Sequence, residues 1–186
     1  MMKIVKVALA LLLSLNAPLG VVAATDKAVG EFTATATVDT PQGTRSMGLT
    51  LIVTNPMTAA EAQPFKRILE EGGQQALLNS IHGASRGRFR LGAIEYPMNL
   101  VVAEPDRDGY RYVVVTERPL RVEEVNEASP SLDHPFTILV FEVPGFGSGE
   151  GQLFTQAAIQ VDAEGHARVD QYEPRRGTLK DVRRTK

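Results

Sequence analysis

Residues 31–54 read EFTATATVDTPQGTRSMGLTLIVT, and the alternation in this stretch decides the fold. Phe32, Ala34, Ala36 and Val38 fall on one side of an extended chain, and Glu31, Thr33, Thr35 and Thr37 fall on the other. Thr40-Pro41-Gln42-Gly43-Thr44 follows, with a proline to fix φ and a glycine to take a positive one, as a turn requires. Met47, Leu49, Leu51 and Val53 then line one face of a second run, Ser46–Thr54. Period two on both sides of a turn predicts a hairpin with one buried and one wet face.

The pattern changes once and then returns. Asn55-Pro56 ends the second run. Thr58 and Glu61 have capping-box spacing. Ala62, Phe65, Ile68 and Leu69 form a helical stripe that Leu77, Leu78 and Ile81 resume. Pro64 and Gly72-Gly73 interrupt it, so the insert over about residues 58–82 is read as two short helices or one bent helix. Strand patterns then recur at Arg86–Ile94, with Gly92 as a bulge or close-approach point, and at Pro97–Glu104 and Tyr110–Glu117. Further strands are read at Phe136–Val143, Gln152–Val161 and His166–Tyr172, and Leu179–Val182 adds a short last strand before a basic tail. The run Val113-Val114-Val115 predicts burial on both faces. Short strands joined by tight turns pair most simply with their sequence neighbours. The expected fold class is α+β: an antiparallel β-meander forming a strongly curved sheet or partly closed barrel, with a one- or two-helix insert after the second strand.

The amino terminus carries a different signal. Lys3 and Lys6 precede the apolar run Val7–Leu15, and Val22-Ala23-Ala24 supplies the small residues of a cleavage site. This order predicts a signal peptide over residues 1–24, cleaved after Ala24. The run is shorter than the about 20 apolar residues a membrane-crossing helix needs. Residues 25–186 are therefore expected to form a single β-rich domain, periplasmic or secreted, with no transmembrane segment after cleavage. A chain of that size buries roughly 70% of its unfolded surface without a covalent staple.

Composition removes several function classes. The chain has no cysteine, which excludes disulfides, thiolate metal sites and a cysteine nucleophile. Of 20 basic and 22 acidic residues, two of the basic ones lie in the signal, so the mature chain stands near −4. That balance does not favour a phosphate backbone, and no nucleic-acid partner is expected. There is no tryptophan to form a stacking platform.

Three arrangements bear on chemistry. Arg86, Arg88 and Arg90 alternate with Gly87, Phe89 and Leu91, so one strand face presents three guanidiniums that can hold a carboxylate, phosphate or sulfate. Acids on a neighbouring strand would turn the same ladder into ordinary surface. His82, Arg88 and Glu117 stand at the ends of elements and form the alternative site. The glycine-rich loop Gly145–Gly151 lacks the lysine and following helix of a phosphate cradle, and Ser148 lacks the glycine spacing of a nucleophile elbow. The histidines, His82, His134 and His166, have no metal-ligand spacing. No metal and no cofactor are expected.

The strings GRFRLG (87–92), YPMN (96–99), TERPL (116–120), PFTILVFEV (135–143), GSGEGQL (147–153) and LKDVR (179–183), taken in order, resemble a group of small exported bacterial proteins with no established activity. The resemblance implies a secreted single domain and carries no site residues. The first functional expectation is an exported non-enzymatic domain that binds a small apolar ligand or an envelope partner, with the interior of the curved sheet as the place for the ligand. The alternatives are a cell-envelope hydrolase with a site assembled from scattered residues and an assembly subunit that pairs through a sheet edge.

Overall fold

The structure, a computed structural model, describes residues 28–40, 43–107, 109–120, 133–163, 165–171 and 176–186. The expected signal peptide, most of the polar segment after Leu120, and Pro41, Gln42, Asp108 and Tyr172 lie outside the described residues.

β1 (Gly30–Thr40) and β2 (Gly43–Val53) form the hairpin that the alternation predicts, in register from Gly30 opposite Val53 to Thr40 opposite Gly43. β3 (Gly87–Leu91) adds to β2, and β4 (Ile94–Pro97) adds to β3. A second meander follows: β5 (Leu100–Asp106), β6 (Gly109–Thr116), β7 (Phe136–Val143) and β8 (Gly149–Val161). β9 (Ala167–Gln171) folds back on β8. β10 (Arg176–Arg184) lies between β1 and β8 and joins the two meanders. The path β4-β3-β2-β1-β10-β8-β7-β6-β5 is antiparallel throughout and curls into a half-barrel, with α1 (Ala59–Ile81) inserted after β2.

Met98 and Asn99 carry the chain from one end of this path to the other. The Met98 N–H donates to Gly87 on one side, and the Asn99 N–H donates to Val115 on the other. Met57 adds a parallel bridge to the outer edge of β5, donating to Val101 and accepting from Ala103.

Three details differ from the sequence reading. The run Arg86–Ile94 is two strands, because Gly92, at φ 58°, sits in the tight turn between Leu91 and its partner Ile94. The last strand spans nine residues and is central, since β1 and β8 each have an open edge for it. Of the expected basic tail, Arg183 and Arg184 lie within that strand. α1 is the bent helix of the two expected forms: it runs through Pro64 and bends at Gly73, within the expected Gly72-Gly73 interruption, where φ of 68° and ψ of −163° suit glycine alone.

The curl has two apolar faces. Inside, Phe32, Tyr112 and Phe141 fill the concavity, with Tyr112 stacked on Phe141 at 4.9 Å between ring centroids and tilted against Phe32 at 5.2 Å. Outside, Leu100, Val102, Val113, Val115, Ile138 and Phe154 make a second apolar surface that Leu69, Leu77 and Ile81 of α1 cover. Val114 faces the interior core while Val113 and Val115 face the outer one, which accounts for the unbroken valine run. With a proline and two adjacent glycines, α1 is a weak helix on propensity, at about 1 kcal/mol per glycine. Burial of Leu69, Leu77 and Ile81, at about 1.5–3 kcal/mol each, outweighs that cost.

Tyr112 ties the interior together, donating its hydroxyl to the Ala28 carbonyl at 3.0 Å. Burial pushes its phenol well above the usual value near 10. The unfolded phenol ionises first, so this stabilisation is complete below pH of about 10 and is lost as pH rises from there toward the folded value. Urea unfolding followed from pH 8 to 11.5 should show stability falling above about pH 10. In Tyr112→Phe the fall should be smaller, and an equal fall in both proteins would remove Tyr112 as its source.

Candidate functional site

The junction where α1 ends is organised by Asn99, which is 1% exposed. Its amide nitrogen donates to the carbonyls of Ala84 at 2.9 Å and Ile81 at 3.4 Å, and its oxygen accepts from the Glu117 N–H at 3.0 Å. One buried amide thus fastens the helix end to the end of β6. Gly83 follows the C-cap His82 at φ 70°, the left-handed position at which helices commonly stop.

Glu117 completes the junction. Its Oε2 accepts from the Gly83 N–H at 3.1 Å and meets His82 Nδ1 at 2.9 Å. The carboxylate is mostly buried, at 11% exposure, whereas the imidazole is 79% exposed. The structure therefore brings His82 and Glu117 together as a carboxylate-oriented histidine. Among the described residues, no hydroxyl is bonded to that ring.

Arg88 is occupied elsewhere. It and Arg90 project from the exposed face of β3, and Arg88 Nε lies 3.4 Å from Glu95 Oε2 on β4. Arg90 stands opposite Glu95 in the ladder. Arg86 precedes the strand and donates to the Asn55 carbonyl at 3.1 Å. The ladder is thus interleaved with the acid of the adjacent strand, and one of its three members serves the backbone.

The other histidines have separate surroundings. His134 Nε2 lies 3.4 Å from Asp170 Oδ2. His166 Nδ1 lies 3.5 Å from Asp162 Oδ1 in the β8–β9 turn. The His166 N–H, with the Arg168 guanidinium beside it, holds the Asp162 carboxyl below the usual range. Among the described residues no group of three or more histidine and carboxylate side chains is placed to hold a metal ion, and no helix is long and apolar enough to cross a membrane.

With rings filling the interior, the hollows lined by described residues lie on the outer face. A slot of about 50 Å³ runs between α1 and β5, β6 and β8, walled by Ala62, Phe65, Leu69, Leu77, Val102, Val113 and Ile159, with Lys66 as its one charged wall residue. Leu69 and Ile159 also line an adjoining open groove of about 450 Å³, together with Glu70, Gln74, Gln160 and Asp162. The Gln74 side chain accepts from the Ile159 N–H and donates to the Ile159 carbonyl, which holds the helix bend against β8. A third hollow, of about 210 Å³, lies beside Arg111, Glu142, Glu150 and Gln152. The sequence reading nominated neither Lys66 nor Asn99. A lysine four residues after Ala62 and three before Leu69 does stand on the apolar stripe, and that was the available signal.

Comparison with protein-family models, curated proteins and solved structures finds no match to this chain.

Replacing Asn99 with leucine leaves the Glu117 N–H and the Ala84 carbonyl without their buried partner. Urea denaturation should show Asn99→Leu less stable by about 2–3 kcal/mol. His82→Ala, at an exposed pair, should differ from the parent by less than about 0.5 kcal/mol. Comparable losses in the two variants would mean that the His82–Glu117 pair, not the amide, secures the junction.

Proposed function

We propose that this protein is an exported, non-enzymatic binding domain that holds a slim apolar ligand between α1 and the outer face of β5–β8. The observation that carries the reading is the slot: an apolar cavity against a filled barrel interior, opening through Leu69 and Ile159 into a groove with polar walls. Its size limits the ligand. A cavity of about 150 Å³ is what benzene occupies in a protein core, so a slot of about 50 Å³ admits only the narrow end of an apolar chain. The bulk of a larger ligand would lie in the groove. The bend at Gly73 separates Leu69 from Leu77, so the slot spans two helical segments whose relative tilt sets its width. The signal pattern at residues 1–24 agrees with a ligand met in the periplasm or outside the cell.

Titration of the purified protein with 1-octanol tests this. Amide resonances of Leu69, Leu77, Val102 and Ile159 should shift together and saturate. In Ala62→Leu, which fills the slot, those shifts should vanish while the far-ultraviolet circular dichroism spectrum is kept. Shifts scattered over the surface, or none, would count against the slot as a ligand site.

A second reading is supported by one contact. His82 lies 2.9 Å from Glu117 with most of its ring in solvent, the geometry of a general base oriented by a carboxylate. A cell-envelope hydrolase would use it so. The binding reading expects no turnover of ester, phosphate and glycoside substrates above that of His82→Ala. Turnover that this substitution abolishes would favour the hydrolase.

A further inference from the structure

We infer that the hollow beside Arg111 binds a small apolar α-amino acid, its carboxylate on the Arg111 guanidinium and its ammonium between Glu142 and Glu150. This site shares no wall residue with the slot and does not depend on the slot's holding a ligand. The hollow, of about 210 Å³, lies on the outer face of β6–β9, and none of its wall residues belongs to α1. Arg111 stands two residues before Val113, and Gln152 two before Phe154, so both project from the face that carries the outer core. Val140, Phe154 and Val169 supply the apolar part of the wall.

The polar part of the wall lacks partners. Arg111 stands opposite Glu104 on β5 and Glu142 on β7. Its Nε is buried, and the Glu142 carboxylate is 3.9 Å away, beyond hydrogen-bonding distance. Among the described residues the guanidinium has no hydrogen-bond acceptor. The Gln152 side-chain oxygen is likewise buried without a donor. Buried polar groups are nearly always hydrogen-bonded, so an open guanidinium and an open amide on one hollow mark a place for a ligand's polar groups. Glu150 is exposed on the same wall. Three carboxylates around one guanidinium leave the region net negative, which disfavours a lone anion and calls for a positive charge on the ligand. The open guanidinium calls for an acceptor beside it. An α-amino acid carries both groups on one carbon and leaves its side chain for Val140, Phe154 and Val169. Benzene in a cavity of about 150 Å³ sets a scale of about 25 Å³ per heavy atom. On that scale the hollow of about 210 Å³ holds about eight heavy atoms, the size of valine.

Nuclear magnetic resonance titration of the purified protein at neutral pH tests the assignment with three probes. They are L-valine, isobutylammonium (valine without its carboxylate) and isovalerate (valine without its ammonium). Amide resonances of Val140, Gln152 and Val169 should shift together with valine and saturate. Valine should bind about tenfold more tightly than isobutylammonium, the size of one charge-assisted hydrogen bond, and isovalerate should bind least. Arg111→Met should bring valine down to the level of isobutylammonium, and Glu150→Gln should weaken both. Isovalerate matching valine, valine no tighter than isobutylammonium, or a preference for valine that survives Arg111→Met would overturn the assignment. So would the absence of saturable shifts at the hollow with all three probes. If Arg111→Met does not fold, the comparison of the three probes on the parent protein decides the matter.

Discussion

The docking of β10 between β1 and β8 is the constraint on which the rest of the molecule depends. Each meander ends in a long strand with one open edge, eleven residues in β1 and thirteen in β8. An unpaired edge of that length exposes a row of backbone donors and acceptors and invites pairing with other chains. β10 satisfies the edge of β1 and the first half of the edge of β8, running antiparallel to each, and β9 takes the rest of β8. It also delivers Leu179 and Val182 to the interior core. Without it the backbone ladder between the two meanders would be broken at β1 and β8, and the concavity that buries Phe32, Tyr112 and Phe141 would lack its floor.

Curling the sheet in this way creates the outer-face slot that we propose as a ligand site. The inner face is filled with rings, so the outer face of β5–β8, equally apolar, needs a separate cover. α1 is that cover, and it is pinned at three points. The Thr58–Glu61 capping box fixes its start, Gln74 clamps its bend to Ile159, and Asn99 holds its end. A bent helix on a twisted sheet does not follow every contour. The slot lies beneath it, with Leu69 before the bend and Leu77 after it. The first functional expectation set the ligand inside the curl. Aromatic packing fills the interior, and the hollows lined by described residues lie on the other face of the same strands.

The two candidate sites differ in how far they could be read beforehand. His82 and Glu117 were nominated as ends of elements, and they meet because Asn99 draws the helix terminus to the end of β6. Arg88, the third member of that nomination, is paired with Glu95, its near neighbour on the adjacent strand. The arginine ladder was legible as a strand face, and so was the ordinary reading of it, because cross-strand acids are the usual companions of such a face. The helical stripe was read only for its apolar members, and Lys66, which stands among them in the wall of the slot, was not singled out.

What the sequence determined by itself was everything governed by short range. Period-two alternation gave the strands of both meanders, glycines and prolines gave the turns, and Thr58 with Glu61 gave the start of the helix, because each signal acts over a few residues of backbone. The pattern at residues 1–24, from which export is expected, is likewise a local signal. Only the tertiary structure decided that the last strand is central, that the helix bends at Gly73 and not at Pro64, that rings fill the interior, and that a lysine is buried beside a cavity. Each of these depends on which distant segments share an edge or a face, and that is set by the joint burial of two apolar surfaces and the pairing of two open sheet edges.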